Sequence, residues 1–412
     1  SQGYLQISNS FRFARNAQVN LNYSKIFGDF NVRAKASYLF EKNTYNSSET
    51  TGYDFSLKGV PSFDAISGNK SITSYKSEIL AKNYFGILYF DYKDKYIFDG
   101  MARYDGSSLF GADARWNPYF RVSGAYRISE DFKIPGIQEL KIRAAYGTAG
   151  QRPEFADQYE VMQISGGNVS KSQFGNSKLK PSLSKEWEAG LTVDFLNRFG
   201  LEISRSETNT TDQILTIPLA VQYGGWPNQV QNAGTLNSKV WEATLNARIV
   251  KTKAISYDIN MIFDRIRTKI TELDAPPFQT GPQGQEANKC FYIRKGETLG
   301  AMYGYKFVKT IDEMQSQLAQ GDKIDNYCVN SDGYVIVKGT EGTIYEAPVK
   351  KLDETGKLWF GKIGDSNPKF KLGMTHTFTF KGLGIYALLE WKNGGDIYNK
   401  SAQWLTRDDR HG

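Results

Sequence analysis

From Phe30 to Phe40 the chain alternates: Phe30, Val32, Ala34, Ala36, Tyr38 and Phe40 share one parity, while Asn31, Arg33, Lys35 and Ser37 share the other. Alternate side chains of a strand lie on opposite faces, so this stretch predicts a strand with one apolar and one polar side. Strands of soluble sandwiches usually run about 5–6 residues, whereas a tilted strand crossing a bilayer needs about 9–11. The length selects the second. Such a strand cannot stand alone, because hydrocarbon does not tolerate unpaired sheet edges.

The pattern recurs in roughly twelve segments. Tyr96, Phe98, Gly100, Ala102 and Tyr104 carry it, as do Trp116, Phe120, Val122, Gly124 and Tyr126. It returns at Trp187, Ala189, Leu191, Val193 and Phe195, at Trp241, Ala243, Leu245, Ala247 and Ile249, and at Leu383, Ile385, Ala387, Leu389 and Trp391. Many segments end in Tyr, Trp or Phe, as the aromatic girdles of a membrane barrel require. The connections fall into two sets. Phe27-Gly28-Asp29, Lys93-Asp94-Lys95, Asn197-Arg198, Lys251-Thr252-Lys253 and Lys381-Gly382 are short, while 42–71, 147–183, 207–236 and 272–367 are long and polar. Short and long alternate along the chain, which is how an outer-membrane barrel sorts periplasmic turns from extracellular loops. The expected fold is therefore all-β, a transmembrane antiparallel β-barrel with long extracellular loops, and 1–412 reads as one barrel segment.

Composition agrees. Tyr and Phe number 25 each and Gly 39, while mean hydropathy is only −0.50. A barrel alternates lipid-facing and lumen-facing residues and so averages to a polar value. No run of 18 apolar residues exists, which excludes transmembrane helices. Positive and negative side chains are interspersed at a net charge of +7, which is no nucleic-acid footprint.

Catalytic chemistry finds little support. There are two histidines, His376 and His411, and no nucleophile elbow, Walker loop, dinucleotide fingerprint or zinc-binding helix motif. Glu186 and Glu188 fall on the polar side of a strand, and Asp408 and Asp409 lie near the C-terminus, so neither pair reads as an acid–base couple. No catalytic residue, metal ligand or cofactor is expected.

Loop parity organises 272–367. The strand through Tyr257 and Phe263 leaves a short turn, and the strand starting at Phe370 enters one, so both meet this stretch on the long-loop side. The simplest reading is one large extracellular region without a membrane crossing. Cys290 and Cys328 both fall in it, where a disulfide would persist, and they are expected to pair. Thr310-Ile-Asp-Glu313 has the form of a capping box and predicts a short helix. Substrate contacts would come from aromatics on long loops: Tyr159, Phe174, Tyr223, Trp226, Phe278 and Trp359. Most loop aromatics pack their own loop, and that bland alternative applies to each.

Longer strings carry a resemblance. YFGILYFDYKDKYIFDGMARYDGSSLFGADARWNPYFRVSGAYRI (84–128), KLKPSLSKEWEAGLTVDFL (178–196), KGETLGAMYGYKF (295–307) and KIGDSNPKFKLGMTHTFTFKGLGIYALLEWKNGGDIYN (362–399) resemble the barrel of SusC/RagA-family TonB-dependent transporters of Bacteroidota. The resemblance implies that roughly twelve strands of a 22-stranded barrel lie here. A plug domain and TonB box would precede Ser1, and further strands would follow Gly412. It also implies active import of oligosaccharides or peptides across the outer membrane, beneath a SusD-like surface lipoprotein. TonB-ExbB-ExbD would supply energy through the plug, outer-membrane lipids would surround the wall, and two transporter–lipoprotein pairs would form a dimer. A passive porin or structural barrel is the rival. The acidic calcium-like segment frequent before the NPKF-type string is reduced here to Asn330-Ser331-Asp332-Gly333, so no calcium site is expected.

Overall fold

Where the sequence alternates, the backbone is extended. A computed structural model describes residues 3–57, 59–110, 115–165, 168–220, 222, 224–281 and 289–407. Twelve long strands make an antiparallel sheet, and the chain divides into two units, residues 1–234 and 235–412.

In the first unit, β1 (Tyr4–Phe27), β2 (Phe30–Tyr53), β3 (Lys70–Tyr92), β4 (Tyr96–Ser107), β5 (Trp116–Arg127) and β6 (Ile137–Gln151) follow one another in the sheet. The four-residue helix α1 (Ile128–Asp131) lies between β5 and β6. A loop hairpin of β7 (Val161–Ser165) and β8 (Asn168–Gln173) leads to the sheet strands β9 (Ser182–Phe195) and β10 (Phe199–Thr211). A second loop hairpin, β11 (Ile214–Pro218) with β12 (Asn228–Asn232), ends the unit.

The tight turns explain the register. Lys93 and Asp94 have φ of 57° and 54°, and Leu196 and Asn197 have 56° and 54°. Lys95 N–H donates to the Tyr92 carbonyl at 3.0 Å, and Arg198 N–H donates to that of Phe195 at 3.2 Å. Two consecutive left-handed residues define the mirror-image turn whose twist matches that of the flanking strands.

Cross-strand pairing turns sequence parity into two aromatic rows on the apolar face. Phe30 faces Tyr92, Tyr92 faces Tyr96 and Tyr96 faces Tyr126, with ring centroids 4.6, 6.3 and 4.9 Å apart. Higher up, Tyr38 faces Tyr84 at 5.0 Å, and Trp116 stacks on Tyr104 at 5.1 Å. The rows are separated by the step from Phe30 to Tyr38, about 26 Å along the strand and about 20 Å after a typical tilt. With the rings included, that is the height of the ~25 Å apolar band of an outer-membrane barrel. Leu88, Phe98, Phe120 and Val122 lie between the rows and are 41–47% exposed. A soluble protein would have to cover such a face. Lipid covers it at no cost.

The opposite parity is polar. Arg33 lies over the Tyr89 ring at 3.9 Å, Arg121 pairs with Asp99, and Arg143 bridges Glu188 at 3.4 Å and Glu202 at 2.7 Å. These charges line the lumen side.

The expected loop at 42–71 is shorter than alternation implies. β2 runs on to Tyr53 and β3 begins at Lys70, leaving residues 54–69 as the connection. Above Phe40 both parities of β2 are polar apart from Tyr45 and the last residue (Thr44, Asn46, Ser48 against Asn43, Ser47, Glu49), so the ladder continues where the hydrophobic period stops.

The second unit holds four sheet strands and the long inserted region. β13 (Gly234–Lys251) turns into β14 (Ile255–Leu273). Within 272–367 come β15 (Phe278–Thr280), β16 (Phe291–Ile293), β17 (Ala301–Gly304), the short helix α2 (Ile311–Gln315), β18 (Tyr327–Val329), β19 (Val335–Val337) and β20 (Gly361–Asp365). β21 (Pro368–Phe380) and β22 (Leu383–Gly394) resume the large sheet, and helix α3 (Lys400–Arg407) follows. β14 pairs directly with β21, from Ile255 opposite Phe380 to Asp264 opposite Lys371, so the inserted region contributes no strand to the wall. It has its own sheet in the order β15-β16-β17-β20 and its own small core of Val308, Met314 and Val335. The short helix forms where the sequence predicts it, with Thr310 as N-cap: Thr310 Oγ1 accepts from Glu313 N–H at 3.2 Å, while the Glu313 carboxylate accepts from Lys309 N–H, one residue before the cap, at 3.0 Å.

Candidate functional site

The sequence-expected loop aromatics divide into packed and open groups. In the first unit, Phe174 and Trp226 pack on each other with centroids 5.6 Å apart, and Trp226 is buried. Their loops are stitched together by main-chain and amide bonds. Phe174 N–H donates to the Asn228 carbonyl at 2.9 Å, Asn176 Nδ2 to that of Val230 at 2.9 Å, and Gln229 Nε2 to that of Gly175 at 2.8 Å. Lys171 adds a cation over the Trp226 ring at 5.2 Å and donates to the Gly224 carbonyl. Phe174 and Trp226 therefore fasten one loop to another, as the bland reading allowed. Tyr159 is 54% exposed on the same loop. Tyr223 lies outside the described residues.

In the second unit, Phe278 starts β15 opposite Ile293, and Trp359 folds over Gly361 while Lys306 caps its ring at 4.8 Å. Both are partly buried, as packing residues are. The sequence did not single out the aromatic cluster beside them. Tyr292, Tyr303, Tyr305 and Phe360 lie with centroids 4.7 to 5.9 Å apart, and Tyr305 is 62% exposed. These residues meet because β16, β17 and the approach to β20 are adjacent in the inserted sheet, which no local pattern reveals. Tyr345 and Ile344 form a further exposed pair, at 76% and 91%.

A polar network braces that sheet. Asp365 accepts from Thr298 Oγ1, from Asn367 N–H at 3.0 Å and from Lys362 Nζ at 3.0 Å. Lys362 also reaches Glu297 at 3.3 Å, and Glu297 accepts from Tyr303 Oη at 2.7 Å. Burial pushes the Asp365 carboxyl up, but the hydrogen bonds from Thr298, Asn367 and Lys362 outweigh it and hold the group at about 2. Thr298 and Asp365 each lie in a string that carried the resemblance, 67 positions apart, so their meeting was not legible.

The expected disulfide is not formed. Cys290 is buried beside β16, while Cys328 in β18 donates its thiol to Glu341 at 2.9 Å. The two belong to different small sheets, which keeps each thiol with its own neighbours. Burial raises the Cys290 pKa, and the hydrogen bond to the Glu341 carboxylate raises that of Cys328, so both thiols stay protonated near neutrality. Asn330 closes a turn, its Oδ1 accepting from Asp332 and Tyr334 N–H at 3.1 and 2.9 Å. Among the described residues no group of His, Cys, Asp or Glu is placed to hold a metal ion. Glu186 accepts from Thr208 Oγ1 and Glu188 pairs with Arg143, both on the lumen side. His376 shares a hydrogen bond with Tyr257 Oη at 2.9 Å. Asp408, Asp409 and His411 lie outside the described residues.

Two aromatic rows a membrane apart, a polar lumen face and a folded insert on the long-loop side define the wall of an outer-membrane β-barrel. The family model for the TonB dependent receptor-like β-barrel matches residues 1–326, and the chain belongs to that family, one of receptors and transporters and not of enzymes. It is 26% identical over 403 residues to TonB-dependent receptor P3 of Formosa agariphila, covering 92% of this chain and 38% of that protein. It is 24% identical over 302 residues to TonB-dependent receptor SusC of Bacteroides thetaiotaomicron, covering 67% and 29%. Among solved structures, the RagAB peptide transporter superposes with a TM-score of 0.73 at 16% identity, covering 94% of this chain and 41% of that one. The barrel is of the SusC/RagA type, and the chain spans well under half the length of these relatives.

Proposed function

We propose that this chain is the wall and extracellular loop region of a TonB-dependent importer that carries oligosaccharides or peptides across the outer membrane. The observation that carries the reading is the insert 272–367, read as extracellular. It folds around its own core and presents Tyr305 and Phe360 outward on the long-loop side, as a capture surface does and a plain pore rim need not. Exposed aromatic rings suit both sugar faces and peptide side chains. RagAB being a peptide transporter supports peptides, while the resemblance of the sequence to SusC/RagA barrels keeps oligosaccharides as the alternative. In this reading a SusD-like lipoprotein covers the loops, TonB-ExbB-ExbD acts through a plug domain, and two such pairs associate in the membrane. The test is uptake of fluorescent oligosaccharides and peptides by cells with and without the transporter, before and after removal of TonB. Uptake that depends on both is the expected result. Uptake that survives loss of TonB would instead make this barrel a passive porin.

A further inference from the structure

On the outward face of the first unit the chemistry changes just past the upper aromatic row. Tyr38 and Phe40 give way to Lys42 on the same face of β2, and Tyr84 is preceded by Lys82 on β3. Register places Arg15 of β1 directly opposite Lys42 and Lys82 directly opposite Phe40. Glu78 is the single carboxylate of this patch among the described residues. It binds Lys42 Nζ at 2.8 Å and lies within electrostatic reach of Lys76 and Arg15. Like charges set opposite each other across a strand pair weaken the sheet, and the one carboxylate, already bound to Lys42, does not balance Arg15, Lys42, Lys76 and Lys82.

Immediately below the girdle lies an apolar groove of about 740 Å³. Its floor is made of small residues brought into register across three strands, Ala36 opposite Gly86 and Gly86 opposite Ala102. Tyr38, Tyr84 and Tyr104 wall it on the side of the cations, and Leu21 and Phe120 close its ends. A Cβ added at Gly86 would meet nothing nearer than 3.9 Å, so packing does not demand a glycine there. The space is open.

The geometry points to a bound phosphorylated, acylated lipid of the outer leaflet, its acyl chain in the groove and its phosphate among Arg15, Lys42 and Lys82. The order of features along the strand matches such a lipid: apolar floor, aromatic interface, then cations. Lys82 and Lys42 stand about 7 and 13 Å past the tyrosine row along the strand, and long cationic side chains snorkel towards a headgroup layer across such gaps. A soluble partner has no access to the groove while hydrocarbon surrounds it, and charge complementarity selects an anionic lipid over a neutral one.

The full-length transporter would be placed in nanodiscs of phosphatidylglycerol and phosphatidylcholine in equal parts, and its retained lipids measured by native mass spectrometry. We expect phosphatidylglycerol to be enriched roughly tenfold, and the enrichment to fall to parity in the triple variant R15Q/K42Q/K82Q. Gly86→Leu, which fills the groove, should lower retention of both lipids. Glu78→Gln, which releases Lys42 from its carboxylate, should raise the enrichment, and it carries the test alone should the triple variant not fold. Equal retention of the two lipids by the unmodified protein, an unchanged ratio in the triple variant, or a Glu78→Gln variant no different from the parent would each overturn the assignment.

Discussion

Asp365 ties the stretch around Thr298 to its own, which also holds Lys362 and Asn367, and its acidity is the measure of that work. Its carboxyl sits at about 2, below the ordinary value near 4, so folding favours the ionised form. A depressed carboxyl contributes stability that is complete above the unfolded-state value and is lost as pH falls through the folded one. The network should therefore hold from pH 7 to about 4 and fail on approach to about 2, read as loss of amide-exchange protection at Ser366 and Asn367. Asp365→Ala should cost about 2 kcal/mol of local stability at neutral pH by leaving Thr298 Oγ1 and Asn367 N–H without their acceptor and Lys362 with Glu297 as its remaining carboxylate. The thiols give a second check. Cys290 should resist alkylation in the folded protein while Cys328 reacts slowly, and both should titrate after denaturation without reductant; finding no titratable thiol would restore the disulfide. For the capture surface, Tyr305→Ala should weaken substrate binding roughly three- to tenfold with no change in melting, since the ring is 62% exposed. Residue types and loop membership were legible in the sequence here. Which aromatics pack and which face out was not, because Phe174 meets Trp226 only through two loops that fold against each other.

At the level of elements, alternation located the wall strands because each one buries one parity in lipid and wets the other. It failed where that asymmetry ends. The upper parts of β2 and β3 pair as far as Gly52 opposite Lys70, yet Ser47, Ser48 and Glu49 offer no apolar period to read. Beyond the ladder those segments have only partly exposed side-chain pairs such as Ser8 with Glu49 and Tyr45 with Tyr75, so they should exchange their amides well before the band between the girdles does. The turns were legible as short polar gaps, but their left-handed residues were not. Asn197 at φ 54° tolerates that conformation through its small polar side chain. Asn197→Val should lower stability by about 1–2 kcal/mol, measured as a shift in melting or in the denaturant midpoint, while the same change at an exposed extended position should not. Gly106 is constrained differently. The Trp116 ring lies flat against it, with ring carbons 2.7 to 2.8 Å from where a Cβ would be, so Gly106→Val must displace the tryptophan and disturb the upper girdle. A changed Trp emission maximum in that variant would report it.

On the scale of the molecule, the decisive quantity is a height. The lower and upper aromatic rows fix where hydrocarbon begins and ends on the first unit, and the change from Phe40 to Lys42 on one face confirms the upper limit independently of any ring. Residues of one parity between the rows must therefore be dry, those of the other parity wet, and both parities wet above Lys42. Single-cysteine labelling with a membrane-impermeant maleimide tests all three statements at once, in variants whose own two thiols are replaced by serine. Leu88→Cys and Val122→Cys should stay unlabelled in intact outer membranes and become reactive in denaturant. Lys76→Cys should label rapidly from outside. Arg33→Cys, at the same depth as the protected sites but on the lumen parity, should label at a rate set by access to the lumen, and faster than Leu88→Cys. Equal labelling of Leu88→Cys and Arg33→Cys would mean that water reaches both faces, and the membrane placement of this wall would have to be abandoned.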